Sequence, residues 1–277
     1  MKSLLVPCDF SPESREAYQF ALQLAARTQG LVHVLKAVDL PVMYESALGA
    51  APFYFDPTLI KELKDDAKAQ FEKMKAEFPT EVKTEFFVQE GPVTPTIRQF
   101  IKEHSIDLVV MGTRGATGLE EYLIGSNTEK VVRFSPVPVF AIRRAPKLDS
   151  IKNIVFPTTF ETSDQLVREV RGLQEFFQAK LHLLMINTPY NMERRADEPD
   201  RLKAFAEKHG LSNFTINTRD EFRESSAIMN FAVEINADMI AMGTHGRRGL
   251  SHLFSGSIAE KVVNHTDCPI WTLSLHA

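Results

Sequence analysis

Cysteine, tryptophan and long apolar runs are all scarce in this chain of 277 residues. The two cysteines, Cys8 and Cys268, stand far apart. They make neither a CxxC pair nor a disulfide framework, which fits a reducing, cytoplasmic setting. No apolar run reaches the roughly 18 residues that a membrane-spanning helix requires. An excess of either charge is also missing: 32 Lys and Arg face 36 Asp and Glu, for a net charge of −4 and a pI of about 6.1. Such a balance offers no global basic footprint for nucleic acid. The opening residues, MKSLLVPCDFSPE, reach Pro7 and Asp9 too soon for the apolar core of a secretory leader, so they read as a first strand. What remains is an ordinary globular composition, 44% hydrophobic and 25% charged, in a length suited to two domains.

The chain repeats itself. DLVVMGTRGATGLEEYLIGSNTEKVVRFSPVPV, starting at Asp107, aligns without a gap with DMIAMGTHGRRGLSHLFSGSIAEKVVNHTDCPI, starting at Asp238. Nearer each start, LLVPCDFSPES aligns with IVFPTTFETSD, which sets Pro7 over Pro157. The first half is the longer one, mostly through residues 39–59. A tandem duplication follows, with units at residues 1–146 and 150–277.

Within the first unit, strands are expected at residues 2–7, 31–38, 81–89, 108–111 and 137–142. Ser11-Pro12 opens a helix as N-cap and first helical residue. Ala17, Phe20, Ala21 and Leu24 continue it at helical spacing, and Gly30 stops it. Further helices are expected at 59–78, at 94–104 and around 128–133. The second unit repeats this order and ends in a strand at 269–275. Alternating strand and helix means an α/β fold with a parallel sheet in each unit. Ligands of such sheets bind beyond the carboxyl ends of the strands, where the strand order reverses.

The motif that carries chemistry starts where the fourth strand ends. Gly112-x-x-Gly115 is followed after nine residues by Gly125-Ser126, and Gly243-x-x-Gly246 by Gly256-Ser257 at the same spacing. Gly112 and Gly115 suit a tight loop with backbone N–H groups facing an anion. Gly125-Ser126 opens a helix whose N-terminus is an anion site in its own right. The spacing is neither a Walker A loop nor the dinucleotide fingerprint. Ser126-x-x-Glu129 and Ser257-x-x-Glu260 also read as capping boxes, which leaves both serines a structural role.

Followed by E-K-V-V and a strand containing Pro, this pattern resembles the universal stress protein family. Val6-Pro7-Cys8-Asp9 and Glu90-Gly91-Pro92 extend the resemblance, which covers both halves of the chain. It implies two tandem five-stranded, Rossmann-like parallel-sheet domains and ATP, with or without Mg2+, held in the first. By resemblance, Asp9 accepts a hydrogen bond at or near the adenine, flanked by Pro7 and Cys8. Ala37 offers its backbone to the base, and Met111 and Gly112 lie by the ribose and phosphates. Gly115, Gly125, Ser126, Asn127 and Thr128 contact the phosphates through N–H and hydroxyl groups. Arg114 stays open between a phosphate-side charge and a solvated surface residue. The second unit has Thr159 in place of Asp9, so Gly243, Gly246, Gly256 and Ser257 form a weak or vestigial second site.

The resemblance implies a nucleotide-dependent stress-response or regulatory role. Two alternatives stay open: a slow ATPase or adenylate-forming enzyme, and a protein-interaction module with no nucleotide. No residue set is assigned to catalysis or to a metal. His245, His252 and His265 have no zinc spacing and read as surface residues, His33 and His182 as structural ones. The final strands of the units are expected to pair within one chain as a pseudo-dimer, with room for a further homodimer and a protein partner of unknown kind. The apolar, Pro- and Gly-broken segment 40–55 is expected to pack on its own domain or the other one rather than to act as a lid.

Overall fold

The structure, a computed structural model, describes residues 1–39, 57–113, 125–160, 162–189, 198–244, 258–259, 262 and 268–274. The segment 40–55 and the glycines Gly115, Gly246 and Gly256 lie outside these residues, as do Arg114 and Ser257.

Strand β1 (Ser3–Pro7) carries Leu4, Leu5 and Val6, all fully buried. An unalternating apolar run is what a central parallel strand, covered on both faces, requires. Helix α1 (Pro12–Thr28) begins as expected, with Ser11 as N-cap accepting from the Ser14 N–H. Its end differs from the sequence reading. The left-handed residue is Gln29 (φ 53°), not Gly30. Gly30 is needed for space, because a Cβ there would stand 2.9 Å from the Lys2 carbonyl oxygen. The second unit repeats the device with Ser163 and Gln178 around α5.

The first unit continues with β2 (Leu31–Val38), α2 (Pro57–Glu77), β3 (Thr84–Glu90), α3 (Val93–Glu103), β4 (Leu108–Gly112), α4 (Ser126–Phe134) and β5 (Val139–Ile142). The second runs β6 (Asn153–Pro157), α5 (Asp164–Phe177), β7 (Lys180–Asn187), α6 (Glu198–Lys208), β8 (Phe214–Asp220), α7 (Glu224–Glu234), β9 (Met239–Gly243) and β10 (Ile270–Leu273). All strands join one ten-stranded sheet in the order β3-β2-β1-β4-β5-β10-β9-β6-β7-β8. Pairing is parallel within each half and antiparallel at the centre, where Trp271 faces Phe140 and Ile270 faces Ala141. The last strands of the two units therefore pair with each other within one chain.

Two apolar layers cover the sheet. One gathers residues of α1, α2, α5 and α6, the other those of α3, α4 and α7. The linker is strapped to α1. Glu16 accepts from the Ala145 N–H, Gln23 donates to the Pro146 carbonyl, and Arg27 pairs with Asp149.

His33 and His182 are buried strand residues. Burial pushes both below the usual imidazole value, and for His33 it outweighs the opposing Glu85 carboxylate. That carboxylate stands 4.0 Å from Nδ1 and is already paired with Lys83. The unfolded chain therefore binds more protons once the pH falls below about 6.5, so stability drops as acid is added. The His33 ring lies among Phe87, Phe100 and His104, and among the described residues its Nδ1 has no hydrogen bond. His33→Phe is expected to flatten the loss of melting temperature between about pH 7.5 and 5. An unchanged slope in thermal scans would assign that loss to other groups.

Candidate functional site

The strand order of the first unit reverses between β1 and β4, each starting a crossover in the opposite direction. A cleft of about 290 Å3 opens there, at the carboxyl ends of the strands. Pro7, Cys8 and Asp9 line it from the end of β1, and Met111 and Gly112 from the end of β4. Ala37 joins them from β2, and residues 125–128 from the start of α4. Every first-unit residue expected at the site and described by the structure thus lines one cavity.

Five further wall residues escaped the sequence reading: Ser14 on α1, Leu35 and Lys36 on β2, and Val93 and Ile97 on α3. A signal existed for some of them. Lys36 adjoins Ala37, and Val93 follows Glu90-Gly91-Pro92 directly. Only the packing of α3 over the strand ends makes Ile97 a wall.

Asp9 is both a turn residue and a cleft residue. Its Oδ1 accepts from the Ser11 N–H at 3.1 Å and from the Ser11 hydroxyl at 2.6 Å, which fixes the entry into α1. Phe10 between them takes a positive φ of 65°. The Lys36 ammonium lies 5.6 Å from the centre of the Phe10 ring. Cys8 is buried, with Sγ 3.5 Å from the Ser14 hydroxyl and 3.9 Å from the Met74 sulfur. Burial pushes this thiol up, more than its contact with Ser14 lowers it, so it is a poor nucleophile at neutral pH.

The geometry changes three roles in the glycine motif. Gly112 is the last residue of β4 and not part of an exposed loop. A Cβ on it would fall 2.7 Å from the Glu13 carbonyl carbon, so its bareness lets α1 sit against the strand. Gly125 is the N-cap of α4, and its N–H is already given to the Thr113 carbonyl at 2.9 Å. Ser126 is therefore the first helical residue, and the capping box expected there does not form. Thr128 is buried in the cleft wall and its hydroxyl donates to the Gly112 carbonyl at 2.8 Å, which ties α4 to β4. The N–H groups of residues 126–128 have no acceptors within the helix, since they precede its first complete turn. Unsatisfied N–H groups at a helix N-terminus are the kind of group that can hold an anion.

The second unit is built differently at the matching place. Pro7 pairs with Leu35, and Pro157 with Leu184. Two residues further on, Ala37 corresponds to Ile186, and Lys36 to Met185. Ile186 packs against the apolar layer of α7. Thr159 stands where Asp9 does, and its N–H donates to the Thr162 hydroxyl, which also meets the Thr158 hydroxyl at 2.8 Å. Gly243 ends β9 as Gly112 ends β4, and the Thr244 N–H reaches the Leu273 carbonyl as Thr113 reaches Ile142. Among the described residues, no group of three His, Cys, Asp or Glu is arranged to hold a metal, and no helix is long and apolar enough to cross a membrane.

A model of the universal stress protein family matches the chain twice, over residues 1–143 and 150–274. The chain belongs to the universal stress protein family. The universal stress protein Slr1230 of Synechocystis is 22% identical over 98% of this chain and 99% of its own. MJ0531 of Methanocaldococcus jannaschii, another universal stress protein, is 32% identical over 53% of this chain and 84% of its own. Among solved structures, a universal stress protein of Archaeoglobus fulgidus superposes over 98% of this chain and 96% of its own, with a TM-score of 0.73 at 19% identity. That likeness is one of fold, an α/β universal stress protein architecture with two tandem units.

Proposed function

We propose that this universal stress protein binds ATP, with or without Mg2+, in the cleft of its first unit. It acts there as a nucleotide-dependent regulatory protein of the stress response in the cytoplasm. Residues 1–146 form the nucleotide unit and 150–277 a partner unit that binds ATP weakly or not at all. One observation carries the reading: Asp9, Ala37, Met111 and the start of α4 line a single cavity at the point where strand order reverses. The N-terminus of α4 suits the phosphates, and the apolar walls Val93, Ile97 and Met111 suit a flat base. The unequal units follow from Thr159 and Ile186, which replace a carboxylate and a small side chain.

Calorimetric titration of the full chain with ATP tests this. One site per chain is expected, with cAMP weaker by at least about tenfold because it lacks the β and γ phosphates that α4 would hold. Two equal sites would overturn the inequality, and no heat with either ligand would leave the protein-interaction alternative. Phosphate or pyrophosphate released at turnover rates would favour the enzyme.

A further inference from the structure

On the sheet face away from α1 and α2, α3 and α4 leave a groove of about 210 Å3 between them. Ile97, Ile101, Val131 and Phe134 make it apolar, and among the described residues its only charged walls are Arg98 and Lys130. Phe134 is 48% exposed, unusual for a phenylalanine, and the Arg133 guanidinium lies 5.1 Å from its ring centre. Thr94, also in the wall, has a buried hydroxyl with no hydrogen bond among the described residues. The nearby carboxylate of Glu103 is engaged by Gln99.

The duplication supplies an internal control. α3 and α7 match along their whole length, so Arg98 corresponds to Met229 and Lys102 to Val233. In the sequence, His265 and Asp267 stand where Phe134 and Pro136 do. The fold does not demand an arginine and a phenylalanine at this place, since its own second copy keeps the lysine, with Lys261 for Lys130, but lacks both of the others.

We propose that the α3–α4 groove of the first unit docks an acidic amphipathic segment of a partner protein. One or two apolar side chains enter beside Phe134, and flanking carboxylates meet Arg98 and Lys130. Helix-in-groove recognition has this pattern, and steering by the cationic rim makes it salt-dependent. A groove of this size implies a weak, reversible contact. Ile97 lines both the groove and the nucleotide cleft, so one side chain separates the two.

The test pans a phage-displayed library of random peptides, each about 15 residues or four helical turns long, against the immobilised full chain. Peptides with apolar residues flanked by Asp or Glu are expected to enrich. Their capture is expected to fall at least about tenfold on chains carrying Phe134→Ser, or Arg98→Glu with Lys130→Glu, and to weaken as salt is raised. Unchanged circular-dichroism melts establish that both variants fold. Enrichment that ignores these variants, peptides without carboxylates, or no enrichment would overturn the proposal. Self-association in sedimentation that Phe134→Ser removes would name a second copy as the occupant and overturn it too. No nucleotide is added, so failure here is distinct from failure of the ATP reading.

Discussion

Ala37→Ile is expected to lower the ATP affinity of the full chain at least about tenfold, or roughly 1.4 kcal/mol, with the fold intact. The variant places in the first cleft the residue that the second unit already carries as Ile186, at the same register beyond the β1–β2 and β6–β7 pairs. A branched side chain there occupies space that a base needs. Overpacking is not eased by a rigid strand flanked by β3. Asp9→Ala is expected to remove most binding as well, though its loss also frees Ser11 at the start of α1. Ala37→Ile is therefore the cleaner measurement. Calorimetry and thermal scans are run together. Full affinity in a folded Ala37→Ile chain would place the base elsewhere, and a large fall in melting temperature without ATP would turn the result into one of stability.

Trp271→Ala is expected to cost about 3–5 kcal/mol, the range for removing a large buried aromatic. For units of this size that is a drop of roughly 6–20 °C in melting temperature. Trp271 is 2% exposed and faces Phe140 across the antiparallel β5–β10 pair. Phe140 in turn packs edge-on against Phe20 of α1, with ring centres 5.2 Å apart. The cavity would open at the junction of the units, where the packed helices leave little freedom to collapse. A shift under about 2 °C in a calorimetric scan would mean that β5 and β10 contribute little to holding the units together.

Much of this could be read without coordinates because it is local or repeated. The α1 start at Ser11-Pro12, the unalternating strands and the duplication all follow from spacing and residue type. Which residues share the first cleft was also legible, since β–α loops of a parallel sheet bring their ends to one edge. Their roles were less so. Gly112 looked like a loop glycine, yet its bareness answers Glu13, 99 positions away in sequence. The Thr128 hydroxyl looked like a phosphate ligand, yet it donates to the Gly112 carbonyl. Gly125 looked like a phosphate donor, yet Thr113 takes its N–H.

By itself the sequence determined that there are two copies of one α/β unit, which strand ends carry the glycine motif, and that Thr159 replaces Asp9. Those facts depend on order and periodicity along the chain. Only the tertiary structure decided that Ile186 takes in the second unit the register position of Ala37 in the first, that α3 supplies a wall of the cleft, and that α3 and α4 leave a cationic groove. Each of these depends on the register of paired strands or on the distance between helices distant in sequence. Hydrogen bonding across the sheet and close packing set both, and neither leaves a mark on residue spacing.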